Sequence, residues 1–189
     1  MYSGFAILLD SPTGIYSRKL AFELDERYHT GFLINNLPPH ISLKSSFRIK
    51  DLNKIERYFH AWVQNIKPFT VEFNQLDIII FPFQGKKTGL VWMDIQENEN
   101  LRSLHIFLNR DLKDKLNIPL SGPDGESFHF HSTVCLGGAS PSIYRKIKKI
   151  LANSKLNLSF QVNEIAMFYS PDDTIIPENF KIYKTQSLS

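Results

Sequence analysis

The chain has 189 residues, of which 42% are hydrophobic and 22% charged, an ordinary balance for a globular protein that can bury a core without cross-links. Its formal charge of +3 leans toward an anionic ligand but falls short of the basicity of a protein that coats nucleic acid. The single cysteine, Cys135, excludes a disulfide framework within the chain and suits a reducing compartment.

Residues 2–9 (YSGFAILL) have no basic region ahead of their apolar run, so they read as a buried first strand and not as a secretory signal. The turn SPTG precedes a helix expected near 16–28, ended by Gly31. Residues 32–39 form a connector closing in Pro38-Pro39, and because proline cannot donate to a ladder, strand pairing is expected to begin at His40. Leu52, Ile55, Phe59, Trp62 and Ile66 follow helical spacing over 51–65, with Asp51 as the cap. Residues 69–82 read as a bent strand, QGKKTG as a hairpin turn and 89–95 as the returning strand. Leu101, Leu104, Leu108, Leu112 and Leu116 mark a second strong helix at 98–116. A turn at 121–125 leads to a strand at 128–136, and Ser140-Pro141 opens a helix at 141–152 with basic residues on its outer face. Strands at 157–169 and 180–184 flank the loop SPDDTIIPEN. No apolar stretch approaches the roughly 18 residues of a membrane span. The expectation is one cytosolic domain over 1–189, chiefly because no address signal is present.

One unit is used twice. His-x-Ser at 40–42 is matched by His-x-Thr at 131–133, an offset of 131 − 40 = 91. The helix from 51 is matched by the helix from 141, an offset of 90, and Phe73-Asn74-Gln75-Leu76 by Val162-Asn163-Glu164-Ile165, an offset of 89. A duplicated strand–helix–strand unit explains the nearly constant spacing. Two such units packed about a pseudo-twofold axis would bring equivalent residues together at the seam, where pockets form.

Side chains alternate between the faces of a strand. His40, Ser42 and Lys44 therefore share a face, as do His131, Thr133 and Cys135, with the apolar residues turned away. Two imidazoles and two hydroxyls around one space suit phosphodiester cleavage. One imidazole takes a proton from the attacking water and the other protonates the leaving oxygen, while the hydroxyls grip nonbridging oxygens.

Pro39-His40-Ile41-Ser42-Leu43 and His131-Ser132-Thr133-Val134 resemble the paired His-x-Thr/Ser motifs of the two-histidine (2H) phosphoesterase superfamily. Its members include 2′-5′ RNA ligase-like proteins and RNA 2′,3′-cyclic phosphodiesterases. The resemblance covers nearly the whole chain. It implies a two-lobed, pseudo-twofold α+β fold of antiparallel sheets flanked by helices, with the motifs in the cleft between the lobes. It also implies action on 2′,3′-cyclic phosphates or 2′-5′ linkages of a nucleotide or RNA terminus, with no metal or other cofactor and no membrane. His40 maps to the histidine that protonates the leaving oxygen and His131 to the one that activates water, although a near-twofold site lets the two exchange. Ser42 and Thr133 map to the phosphate-gripping hydroxyls. Ser in the first motif, where Thr is commoner, and the extra imidazole of His129 are departures from the pattern.

Blander readings stand beside these. A histidine on a half-polar strand is by default structural; the repeat lowers that default for His40 and His131. His129 and His131 form a His-x-His pair, but zinc needs at least three protein ligands and no third stands out, so His129 is expected at the cleft rim or against a neighbour. Lys44 either contacts a substrate phosphate or is solvated at a strand end. Tyr169 and Phe5, with Tyr2, are candidates to stack on a base. Cys135 is no nucleophile, His105 is expected in the core, and His29 and His60 at the surface or helix ends. Specificity is expected in the connectors near 30–38, 84–88, 121–127 and 170–179. A non-catalytic binder of nucleotides or RNA ends and a 2′-5′ ligase running the reverse reaction are the alternatives.

Overall fold

The computed structural model describes residues 1–31, 37–83, 85–175 and 179–189, and for Phe83 the backbone only. Parts of the expected connectors at 32–36, 84 and 176–178 therefore lie outside the described residues. The order of elements is β1 (Tyr2–Leu8), α1 (Ser11–Tyr28), β2 (His40–Ser42), β3 (Phe47–Arg48), α2 (Leu52–Val63), β4 (Phe69–Phe83), β5 (Lys86–Gln96), α3 (Glu99–Leu116), β6 (His131–Leu136), α4 (Pro141–Leu151), β7 (Lys155–Val162), β8 (Glu164–Ser170) and β9 (Lys181–Ser187).

All the strands join one antiparallel sheet in the order β7-β4-β5-β6-β2-β1-β8-β9, with β3 added beside β1. Read outward from the β6–β2 seam, the order is symmetric, with β5, β4 and β7 on one side and β1, β8 and β9 on the other. The duplication is longer than the motif spacing alone implies. The run β1-α1-β2-α2-β4 is repeated as β5-α3-β6-α4-β8. Both α1 and α3 have 18 residues. Each opens on a side-chain cap, Asp10 to the Thr13 N–H at 3.1 Å and Asn98 to the Leu101 N–H at 2.9 Å. Each closes on a left-handed residue, His29 (φ 52°) and Asn117 (φ 56°), a conformation that satisfies the last carbonyls of a helix. The repeats exchange their last strands, since β8 pairs with β1 and β4 with β5.

The helices cover one face of the sheet. Phe5 of β1 packs edge-on to Phe59 at 5.0 Å and stacks near Trp62 at 5.7 Å, so α2 seals this half. On the other half the backbone of Gly89 in β5 lies against the Tyr144 ring of α4, so close that a Cβ there would sit 2.0 Å from the ring. The main core runs between, including Ile41, Phe59, Val91, Leu108 and Ile147. A second, small apolar cluster of Ala6, Ala166, Phe168 and Phe180 lies on the opposite face.

Some boundaries differ from the sequence expectation. Helix α1 starts five residues before position 16, because Asp10 caps it and SPTG is its first turn with proline where the N–H is not needed. It ends at Tyr28 with His29 as its cap, ahead of Gly31. Strand β6 begins at His131, not 128. Asn163 separates β7 from β8, where a continuous strand was expected. Among the described residues no helix is long and apolar enough to cross a membrane.

Candidate active site

The two motif strands are neighbours. Ile41 pairs with Ser132, both fully buried. Extending that register by one residue sets His40 across from Thr133 and Ser42 across from His131, all four on the face away from the main core. The ladder's local twofold passes between Ile41 and Ser132, so each imidazole has the other strand's hydroxyl as its partner. Diagonal neighbours on such a pair are about 7–8 Å apart, a span one phosphoryl group can bridge.

The two rings are held alike. His40 Nδ1 lies 2.9 Å from the Pro38 carbonyl, and His131 Nδ1 lies 2.9 Å from the His129 carbonyl. A carbonyl only accepts, so each Nδ1 carries the proton and each Nε2 is left as the acceptor when the ring is neutral. Burial pushes the pKa of His40 below the ordinary 6.5; the Pro38 carbonyl opposes that, and the nearby His131 adds to it. Burial likewise lowers His131, with the His129 carbonyl opposing, the His129 ring lowering and Asp94 raising.

The flanks are not symmetric. Phe168 meets His40 edge-on at 4.8 Å. Across the ladder, Leu8 pairs with His40 and Ala6 with Ser42. On the other side, Trp92 lies 4.6 Å from the His131 ring and 4.9 Å from His129. Here Trp92 pairs with Thr133 and Asp94 with His131. His129, half in solvent ahead of β6, places Nε2 2.8 Å from Asp94 Oδ1 and stacks 6.1 Å from His131.

Four expectations are corrected. Lys44 does not line the cleft. Strand β2 stops at Ser42, the chain bends, and the wholly buried Lys44 donates to Asp124 Oδ2 at 2.7 Å and Asn109 Oδ1 at 2.9 Å. Cys135 does not face the cleft either. The β5–β6 register shifts between Val91 and Trp92, leaving Val134 as an extra residue, and alternation past that bulge turns the thiol into the core. Burial raises its pKa to about 11. Phe5 is on the helix-covered face, because Ala6 and not Phe5 pairs with Ser42. Tyr169 shares the parity of Phe5, and its hydroxyl reaches Met1 Sδ at 3.3 Å.

Tyr2 and Phe168 occupy the site face in their place, and Trp92 and Asp94 were not anticipated. The alternation in GLVWMDI shows that Trp92 and Asp94 share a face, but only the cross-strand register assigns that face to His131. His105 is buried as expected, donating Nδ1–H to the Leu43 carbonyl and accepting from the Gly125 N–H. His29 ends α1, and His60, in the last turn of α2, contacts Gln186. Among the described residues, no group of three or more His, Cys, Asp or Glu side chains is arranged to hold a metal ion.

The curled antiparallel sheet, with paired His-x-Ser/Thr strands at its seam, is the fold of the 2H phosphoesterases. The family pattern of the 2′-5′ RNA ligase superfamily matches residues 18–174, and the chain belongs to that superfamily. No curated protein matches it. Among solved structures, TT0787 of Thermus thermophilus superposes with a TM-score of 0.63 at 16% identity, covering 100% of this chain and 98% of that one. LigT of E. coli complexed with 3′-AMP superposes with a TM-score of 0.58 at 17% identity, covering 99% and 97%. Usb1 of Kluyveromyces marxianus gives 0.50 at 14% identity, covering 99% and 97%.

Proposed function

We propose that this protein is a metal-independent phosphoesterase that hydrolyses a 2′,3′-cyclic phosphate, a 2′-5′ linkage or a related cyclic phosphodiester of a nucleotide or RNA end. The observation that carries this reading is the seam itself. Two imidazoles on adjacent strands share a face, each is tethered through Nδ1 to a carbonyl two residues back, and each is opposite a hydroxyl. Superfamily membership supports a phosphoesterase or ligase activity. E. coli LigT, of similar fold, has been solved complexed with 3′-AMP, ATP and phosphate, which supports a nucleotide as the ligand class.

The reaction needs one ring neutral and one protonated. The neutral Nε2 takes a proton from water as its oxygen bonds to phosphorus. The P–O bond to the ribose oxygen breaks, and the protonated ring gives its Nε2 proton to that oxygen. The product is a phosphomonoester with a free hydroxyl, and solvent exchange resets the two rings. Ser42 and Thr133 donate to the nonbridging oxygens. The substrate's negative charge favours the imidazolium and offsets the burial that disfavours it in the free protein.

The test is hydrolysis of 2′,3′-cyclic nucleotides in EDTA. His40→Ala or His131→Ala is expected to cost on the order of 10²–10⁴ in rate. Undiminished turnover by the double variant would overturn the proposal.

A further inference from the structure

The site is twofold in its reacting groups and onefold in what stands beside them. At equivalent ladder positions, His40 faces Leu8 and His131 faces Asp94. Beyond these, Ala6 pairs with Ser42 while Trp92 pairs with Thr133. His40 is thus enclosed by Leu8, Ala6 and the edge of Phe168, and among the described residues no carboxylate acts on it; its only charged neighbour there is His131. His131 has the carboxylate of Asp94 across the ladder and the His129 ring on its flank, itself 2.8 Å from Asp94. Glu97, gripped by Arg102, faces His129 from beyond the end of β5, and Asp77, paired with Lys148 at 3.1 Å, lies one rung further out across from Trp92.

We propose that Asp94 is a positioning residue that makes the two histidines unequal, holding the site's single proton on His131, so that His131 starts as the acid toward the leaving oxygen and His40 as the base toward water. This rests on the phosphoesterase reading above. It reverses the roles that family resemblance implies for these two positions.

A buried pair sharing one proton keeps it on the ring with the better-stabilised imidazolium, and that ring is the acid at the start of the reaction. A carboxylate in a half-buried site stabilises an imidazolium far more than it would in water. Leu8, Ala6 and Phe168 offer no such help and favour the neutral ring. Asp94 need not touch the substrate to act. The Asp94 side chain is only 15% exposed, which limits the screening of its charge.

The test uses the full chain with isotopically labelled histidines, titrated by NMR without ligand. His131 is expected to take the first proton as pH falls, before His40. Asp94→Asn is expected to lower the His131 midpoint by about one unit, and with it kcat/KM at pH 7.5 about tenfold. A second arm needs no carboxylate variant. With a p-nitrophenyl phosphodiester, whose leaving oxygen needs no proton, His131→Ala is expected to recover most of its loss and His40→Ala none. The inference is overturned if His40 is protonated first, if Asp94→Asn leaves the pH profile in place, or if His40→Ala is the variant rescued. If neither histidine variant lowers turnover of the cyclic substrate, the phosphoesterase reading itself fails.

Discussion

Replacing Lys44 by methionine separates a scaffold role from a substrate contact. The Lys44 ammonium and Asp124 carboxylate are fully buried, 2.7 Å apart, and Asp124 also accepts from the Ser121 N–H, the Ser121 hydroxyl and the Ser45 N–H. Burial alone would raise the Asp124 pKa, but these donors outweigh it and hold the carboxyl at about 2, against an ordinary 3.8. At about 1.4 kcal/mol per unit, that depression corresponds to roughly 2–3 kcal/mol. Because the folded value is the lower one, this contribution is present above 3.8 and is lost as pH falls toward 2.

Methionine fills the space and strands the carboxylate. The expected cost is about 3–5 kcal/mol, near the lower figure because three donors remain, or roughly 6–20 °C in melting temperature. Urea unfolding at pH 7 and pH 4 is the assay. The gap between wild type and variant is expected to narrow at pH 4, where the stranded carboxyl protonates. At a temperature where both are folded, KM for a cyclic nucleotide is expected to be unchanged. Wild-type stability combined with a raised KM would refute the reasoning and return Lys44 to the cleft.

The histidines predict a second pH dependence. Both are depressed below 6.5, so the unfolded chain takes protons first, and stability is full above that value and declines as pH falls toward the folded values. His40→Asn is expected to flatten part of this decline between pH 7.5 and 5.5, seen in urea midpoints; an unchanged slope contradicts it. The same depression places the alkaline limb of kcat/KM below 6.5 unless substrate binding is already at the diffusion limit. Among the described residues Ser132 Oγ is buried without a hydrogen-bond partner, so Ser132→Ala is expected to leave stability unchanged or raise it by about 1 kcal/mol in thermal melts. Gly89→Ala drives a methyl into the Tyr144 ring and is expected to cost about 1–3 kcal/mol or more, with partial recovery when Tyr144 is cut to leucine.

What the sequence made legible was periodic and local. Alternation placed an imidazole and a hydroxyl side by side on each motif strand, and three- and four-residue spacing marked α2, α3 and α4. The Asp51 cap, which accepts from the Lys54 N–H at 3.0 Å, was likewise readable. Facts set by distant pairing were not. The bend after Ser42 carries Lys44 to Asp124, 80 residues further along the chain than Lys44. The bulge at Val134 exists only in the register between β5 and β6, so Cys135 could not be assigned to the core from its spacing. Phe5 and Ala6 are both apolar, and which one faces the site follows from the Ala6–Ser42 pair. The exchange of β4 and β8 between the repeats leaves no mark in the offsets, because it alters partners and not order.

In the proposed reaction His40 and His131 share one anion. Inorganic phosphate titrated into the labelled full chain, with both Nε2 resonances followed, tests it directly. The two are expected to move together along one binding curve with a single phosphate bound. Movement of only one ring, or two curves of different affinity, would contradict it.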